Sequence, residues 1–180
     1  MNEWFEFYHS RVNNKKYEEY FNKKYFVFLS HILQNIHEGD KVLEVGCGTS
    51  LVTKFLYKTN VHFKVIDNCR KMIELSSLNL KDRSVSKELH DIRNPLKETF
   101  NLIYSHGVLE HFSIKEIKTI IKHQLNVCDS LIHYVPSSHY SKQSFGDEIL
   151  MTKEQWSEEI NPTSIVEFNS GYDLILIWSK

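Results

Sequence analysis

Two glycines and an acid are the first residues in this chain whose spacing can do chemistry. Gly46 and Gly48 lie in the run Val42-Leu-Glu-Val-Gly-Cys-Gly-Thr-Ser50. Glycine has no Cβ, so the backbone can turn sharply there and lie directly against a ligand. The helix that opens after such a turn offers unpaired N–H groups and a partial positive charge, which suit a carboxylate or a phosphate. Asp67 follows Gly48 by 19 residues, about the span of one helix and one strand. That distance puts a carboxylate beside the turn, where it can accept hydrogen bonds from both ribose hydroxyls. A dinucleotide fingerprint would place a third glycine at position 51, and Leu51 stands there, which disfavours a nicotinamide-dependent oxidoreductase. The pattern is instead E-x-G-x-G, with Glu44 inside the strand.

Histidines form the second set. The chain has 10, and histidine takes up or releases a proton near neutral pH. His106 and His111 follow an apolar strand at 100–105, and His139 and Tyr140 follow the next strand. Parallel sheets present functional groups beyond the carboxyl ends of their strands. His106, His111, His139 and Tyr140 are therefore the candidate catalytic residues on the acceptor side. His133 lies inside a strand and is expected to pack on one of its faces. The polar, aromatic stretch from Ser137 to Leu150 is long for a connection, and long ordered loops tend to carry function. It is expected to help form a substrate pocket, with Asp147 or Glu148 as a positioning acid.

The elements that must hold these residues can be read from periodicity and punctuation. Residues 1–36 read as helical, with Tyr17, Tyr20, Phe21, Tyr25, Phe28 and Leu29 at three- and four-residue steps. Strands are expected at 41–45, 62–67, 86–92, 100–105, 131–135, 164–168 and 174–178, and helices at 51–58, 69–79, 114–127 and 153–160. Ser113-Ile-Lys-Glu116 and Thr152-Lys-Glu-Gln155 are capping boxes that should open two of these helices. Asn169-Ser-Gly171 is a turn between the last two strands. Strands alternating with helices imply a parallel sheet with right-handed crossovers, and the closing pair implies one antiparallel strand. The fold class is α/β, and a single domain over 1–180 is expected.

Composition narrows the function. The 180 residues carry a formal net charge of −1, which gives no bulk attraction for nucleic acid. No run of about 18 apolar residues appears, so no membrane span is expected. The first ten residues lack the basic-then-apolar order of a secretory signal, and the expected compartment is the cytoplasm. Cys47, Cys69 and Cys128 are widely spaced, with no CxxC pair.

With these pieces in place, the chain resembles the class I S-adenosylmethionine-dependent methyltransferases. The matching segments are LEVGCGTS (43–50), VIDNCRKMI (65–73), LHDI (89–92) and FNLIYSHGVLEHFS (100–113). The resemblance implies a Rossmann-like, seven-stranded, mostly parallel sheet with its last strand antiparallel and helices on both faces. It implies S-adenosyl-L-methionine as cofactor. By position, Gly46, Cys47 and Gly48 would line the methionine part, Cys47 through its backbone. Glu44 would hold the loop and reach the amino group. Asp67 would bind the ribose, with Asn68 beside the adenine. Asp91 would face the adenine amino group, with Ile92 as its apolar wall. Ser105 and His106 would meet the methionine ammonium through their backbone. The N-terminal segment with Phe7, Tyr8 and Arg11 is either a lid or a packing element. A subset of the family holds magnesium with E-x-x-E-H and a further histidine. Gly107 stands at the first glutamate position here, so no metal is expected. The expected activity is methyl transfer to an O or N atom of a small-molecule acceptor. The alternatives are an RNA or protein methyltransferase and a non-catalytic cofactor-binding partner subunit.

Overall fold

A computed structural model describes residues 2–144 and 147–179. Seven strands, numbered in chain order as β1 (Lys41–Val45), β2 (His62–Asp67), β3 (Val85–Leu89), β4 (Phe100–His106), β5 (Cys128–Pro136), β6 (Ser164–Phe168) and β7 (Asp173–Ser179), take the order β3-β2-β1-β4-β5-β7-β6. β7 is the antiparallel member, as the sequence pattern requires. The chain divides into two compact units, residues 1–92 and 93–180.

The first unit contains α1 (Asn2–His9), α2 (Lys15–Lys24), α3 (Phe26–Gln34), β1 (Lys41–Val45), α4 (Leu51–Leu56), β2 (His62–Asp67), α5 (Arg70–Asn79) and β3 (Val85–Leu89). β1, β2 and β3 pair in parallel, with Val45 beside Ile66 and Asp67 beside Leu89. Val42, Leu43, Val45, Val65 and Ile66 are buried in this sheet, each contributing roughly 1.5–3 kcal/mol of apolar transfer energy. The N-terminal helical stretch is interrupted twice. Asn13 takes a positive φ of 59°, and Asn14 then caps α2 by accepting from the Tyr17 amide. Tyr25 leaves helical geometry between α2 and α3. Phe21, Phe28 and Leu29 are buried, whereas Tyr20 of the expected apolar stripe is exposed. β3 ends at Leu89, not Ile92. Asp91 and Ile92 therefore sit in the turn beyond it.

The second unit contains β4 (Phe100–His106), a 3₁₀ turn (Leu109–His111), α6 (Ile114–Leu125), β5 (Cys128–Pro136), α7 (Lys153–Ile160), β6 (Ser164–Phe168), a 3₁₀ turn (Asn169–Gly171) and β7 (Asp173–Ser179). Both capping boxes form as read from the sequence. α6 packs its Ile117, Ile120 and Ile121 face inward and lies on β5. β5 starts three residues earlier than the pattern suggests, because Cys128 pairs with Phe100. Trp156 of α7 is fully buried. Among the described residues, no helix is long and apolar enough to cross a membrane.

Candidate active site

The glycine turn is built from three backbone conformations that side chains resist. Gly46 has φ 61° and Gly48 φ 51°, and Ser50 also has a positive φ of 56°. A Cβ added at Gly48 would meet nothing within 4 Å, so the turn borders open space. The Cys47 amide donates to the Ile66 carbonyl at 2.9 Å, and the Ser50 amide to the Cys47 carbonyl at 2.7 Å. Glu44 is buried, and its Oε2 accepts from both the amide and the hydroxyl of Thr53. It thus ties β1 to the first turn of α4, which is the loop-holding part of its expected role.

Asp67 closes the turn from the neighbouring strand. Its Oδ2 accepts from the Gly48 amide at 2.9 Å, and its Oδ1 from the Cys69 amide at 2.9 Å. The His90 amide donates to the Asp67 carbonyl at 3.0 Å, which fixes the end of β3 against it. Burial raises the Asp67 carboxyl above its ordinary range, opposed by the N–H bonds from Cys69, Gly48 and Asn68. Three N–H donors on two oxygens leave the carboxylate one lone pair for a ligand hydroxyl. Asn68 is exposed, Asp91 is half-buried and Ile92 is buried. Cys47 is buried, and burial first, then the charges of Glu44 and Asp67, push its thiol well above the usual range. A thiol held neutral is a poor nucleophile, which agrees with a purely backbone role.

Two residues that the sequence did not single out clamp this turn to α5. Ser76 Oγ and Ser50 Oγ lie 2.6 Å apart, and Asn79 Nδ2 donates to the Thr49 carbonyl at 2.9 Å. Lys54 then donates to Asn79 Oδ1 at 2.9 Å and pairs with Glu18 at 2.7 Å. Their signal is a small or polar residue on the buried face of α5. In the N-terminal segment, α1 packs on α5, with the Lys71 ammonium 4.8 Å from the Phe5 ring centre. The Arg11 guanidinium lies 3.5 Å over the Phe7 ring and donates to the Phe7 carbonyl.

In the second unit, three of the four expected acceptor-side residues belong to one contact network. His106 and Tyr134 are register partners on β4 and β5, and their rings stack with centroids 4.4 Å apart. The Tyr134 hydroxyl donates to Asp173 Oδ1 at 2.7 Å, and the Tyr140 hydroxyl donates to the same oxygen at 2.9 Å. Asn169 Nδ2 donates to Asp173 Oδ2 at 2.6 Å. Tyr140 and His139 both meet the Tyr172 ring edge-on. Ser137 holds the loop start in place, donating its hydroxyl to the Gly171 carbonyl at 2.6 Å. Sequence reasoning missed Tyr134, Asp173 and Tyr172. Their only local signal is a fully buried acid at the start of a strand, which becomes legible once its partners are known.

His111 belongs elsewhere. Its Nδ1 lies 2.8 Å from Asp147 Oδ1, in a group with Glu148. The Ile149 amide donates to the Glu110 carbonyl at 2.7 Å, so the loop runs alongside the 3₁₀ turn. Glu148 is buried and accepts from the Ser144 amide at 2.9 Å. Residues 145 and 146 of the expected pocket loop lie outside the described residues. Glu110 is 3% exposed. Burial raises its carboxyl to about 8, helped by the charges of Glu148 and Asp147 and opposed by a backbone N–H.

Ser105 turns its side chain into the unit. Its Oγ lies 2.6 Å from His133 Nδ1, and His133 Nε2 lies 2.9 Å from Gln124 Oε1. All three residues are buried, so this Ser-His-Gln arrangement has no access to a substrate. Only the Ser105 backbone is left for the cofactor-binding role the resemblance implies. Two surface clefts elsewhere, one between α6 and α7 and one between α7 and β6, contain none of the residues above.

A family model described as a methyltransferase domain matches residues 42–130. No curated protein matches the chain by sequence. Among solved structures, the PH0226 protein from Pyrococcus horikoshii OT3 superposes with a TM-score of 0.75 at 14% identity, covering 92% of each chain. An S-adenosylmethionine-dependent methyltransferase from Clostridium acetobutylicum ATCC 824 gives 0.73 at 12% identity, covering 97% of this chain and 98% of that one. The N-methyltransferase NodS from Bradyrhizobium japonicum WM9, in complex with S-adenosyl-L-homocysteine, gives 0.69 at 18% identity, covering 87% and 86%. With the matched region running from β1 into β5 on this strand order, the chain carries a methyltransferase domain with the fold of the S-adenosylmethionine-dependent methyltransferases it is similar to.

Proposed function

We propose that the protein transfers the methyl group of S-adenosylmethionine to an O or N atom of a small-molecule acceptor. When bound, the cofactor supplies an electrophilic methyl on sulfur. The glycine turn and Asp67 fit its amino-acid tail and ribose, because open space borders Gly48 and the Asp67 carboxylate is already fixed by two amides. Ser105 and His106 keep, in this reading, the backbone role toward the methionine ammonium. Asn68, Asp91 and Ile92 keep theirs toward the adenine.

The observation that carries the acceptor assignment is the network joining His106, Tyr134, Asp173 and Tyr140. The Tyr140 proton is committed to Asp173, so toward an acceptor its oxygen can only receive a hydrogen bond. That selects a group with an O–H or N–H to donate. His106 is the residue in this network suited to take the proton released on transfer. Tyr140 and His139 orient the acceptor, which lowers the entropic part of the barrier. The near-neutral net charge of −1 favours a small acceptor over nucleic acid.

Calorimetric titration with S-adenosylmethionine and with NAD tests the cofactor, and binding of NAD alone would refute it. Release of S-adenosyl-L-homocysteine over a panel of small hydroxyl and amine compounds tests the acceptor. Turnover only with RNA or protein would overturn the small-molecule assignment.

A further inference from the structure

The turn Asn169-Ser-Gly171 joins β6 to β7 and also touches His139. We propose that Gly171 is a positioning residue for methyl transfer: the space left by its missing side chain seats the His139 imidazole. The role in transfer rests on His139 belonging to the acceptor side, as proposed above; the seat itself does not.

A Cβ added at Gly171 would lie 2.9 Å from both Cε1 and Nδ1 of His139, and 3.4 Å from Glu167 Oε2. Non-bonded carbons settle about 3.5–4.0 Å apart, so the imidazole lies where a side chain at 171 would stand. The Tyr172 ring meets the same imidazole edge-on, with centroids 5.7 Å apart. A ring forced off this seat moves away from the turn.

The backbone on both sides of the seat is tied, so the ring is the part that would yield. The Ser137 amide donates to the Tyr172 carbonyl at 2.8 Å, and the Ser137 hydroxyl donates to the Gly171 carbonyl at 2.6 Å. The same Oγ accepts from the His139 amide at 3.1 Å. One hydroxyl therefore joins the two residues of the seat. An imidazole turns about two side-chain bonds and can change rotamer while this backbone stays put.

The conformation of the turn is a second observation. Asn169, Ser170 and Gly171 take φ of 50°, 58° and 83° in succession. Left-handed backbone costs an L-residue about 1–2 kcal/mol, and such residues persist where surrounding contacts over-determine them. Asn169 is held by Asp173, the acid that also receives the Tyr140 hydroxyl. The same turn thus fixes the acid that orients Tyr140 and the glycine that seats His139. Gly171 acts through His139 and makes no contact with an acceptor of its own.

The test uses the full chain. G171A and G39A both force alanine into a φ of 83°, but a Cβ at Gly39 meets nothing within 4 Å. G39A therefore matches the backbone strain without touching a side chain. The His139 Cε1–H signal is identified in a proton–carbon correlation spectrum by its absence from H139A. It should move in G171A and stay in G39A. Turnover is read with an acceptor found in the panel of hydroxyl and amine compounds. G171A should lower it roughly tenfold or more, with S-adenosylmethionine affinity unchanged, and G39A should leave both unchanged. In an H139A background, G171A should lower turnover no further, because the strain remains and the seat is already empty. Equal losses in both backgrounds overturn the proposal, as does an unmoved His139 signal in G171A. Should G171A fail to fold, S137A removes the hydroxyl that joins the two residues, and an unmoved signal there overturns it. Unchanged turnover in H139A alone refutes the acceptor-side reading of His139, while the signal in G171A still decides the seat.

Discussion

Ser105 donates its hydroxyl proton to Nδ1 of His133 across a 2.6 Å gap between neighbouring parallel strands. The donor is fixed by the far side of the ring, where the Gln124 carbonyl oxygen can only accept, so Nε2 carries the hydrogen. Burial pushes the His133 ring down to about 3. Its folded value is therefore below its unfolded one, and the unfolded chain binds the extra proton. This contribution to stability is complete above pH 6.5 and declines as pH falls toward 3, by about 1.4 kcal/mol per unit. Urea midpoints measured between pH 7 and 4 should show this slope in the wild type. H133N should be less stable at pH 7, and its acid limb should be shallower.

Glu110 works in the opposite direction. Its carboxyl is raised from 4.5 to about 8 in the folded chain. Stability from this group is complete below pH 4.5 and is lost as pH rises toward 8, because the unfolded carboxyl ionises first. E110Q keeps a neutral group of the same shape. It should raise the urea midpoint relative to wild type at pH 8, with little difference at pH 4.5. Equal midpoints at pH 8 would show that the carboxyl is ionised without cost.

Asp67 and Gly48 should govern cofactor uptake. D67N removes a charged acceptor, worth roughly 1.5–3 kcal/mol for a hydrogen bond to a charged group. Calorimetry should therefore show S-adenosylmethionine affinity lowered at least tenfold. G48A places a Cβ in the open space beside the turn and forces a positive φ on alanine, at roughly 1–2 kcal/mol. It should weaken uptake to a similar degree while leaving the circular dichroism spectrum intact.

Tyr140 and His139 should affect turnover more than uptake. Y140F deletes the hydroxyl that reaches Asp173, leaving Tyr134 and Asn169 to hold that acid. Turnover should fall at least tenfold in Y140F with H139A, while S-adenosylmethionine affinity stays within about twofold. Unchanged turnover in the double variant would remove both residues from the acceptor side.

Local chemistry made much of the fold legible. β1, β2, β6 and α7 have the expected bounds, since alternating apolar residues, a glycine turn and a capping box each act over a few positions. The Gly48–Asp67 relationship was also readable, because one helix and one strand have a nearly fixed length. What stayed hidden is long-range. Tyr134 and Asp173 are 39 residues apart, and His111 and Asp147 are 36 apart. They meet only because β7 returns antiparallel beside β5 and because the loop after β5 folds back on the 3₁₀ turn. Tyr25 broke an apolar stripe whose periodicity ran straight through it. β3 stopped short of Asp91 because Asp67 offers its carbonyl to His90 as the last rung.

The amide of Gly48 already rests on the Asp67 carboxylate before any nucleoside arrives. The receptor is thus preformed, and little local order has to be created on docking. Association at this turn should run at a rate set by diffusion and orientation, with no slow rearrangement of the turn itself. Selectivity among nucleosides must then come from the outline of a rigid mould, not from a loop that reshapes itself around each guest.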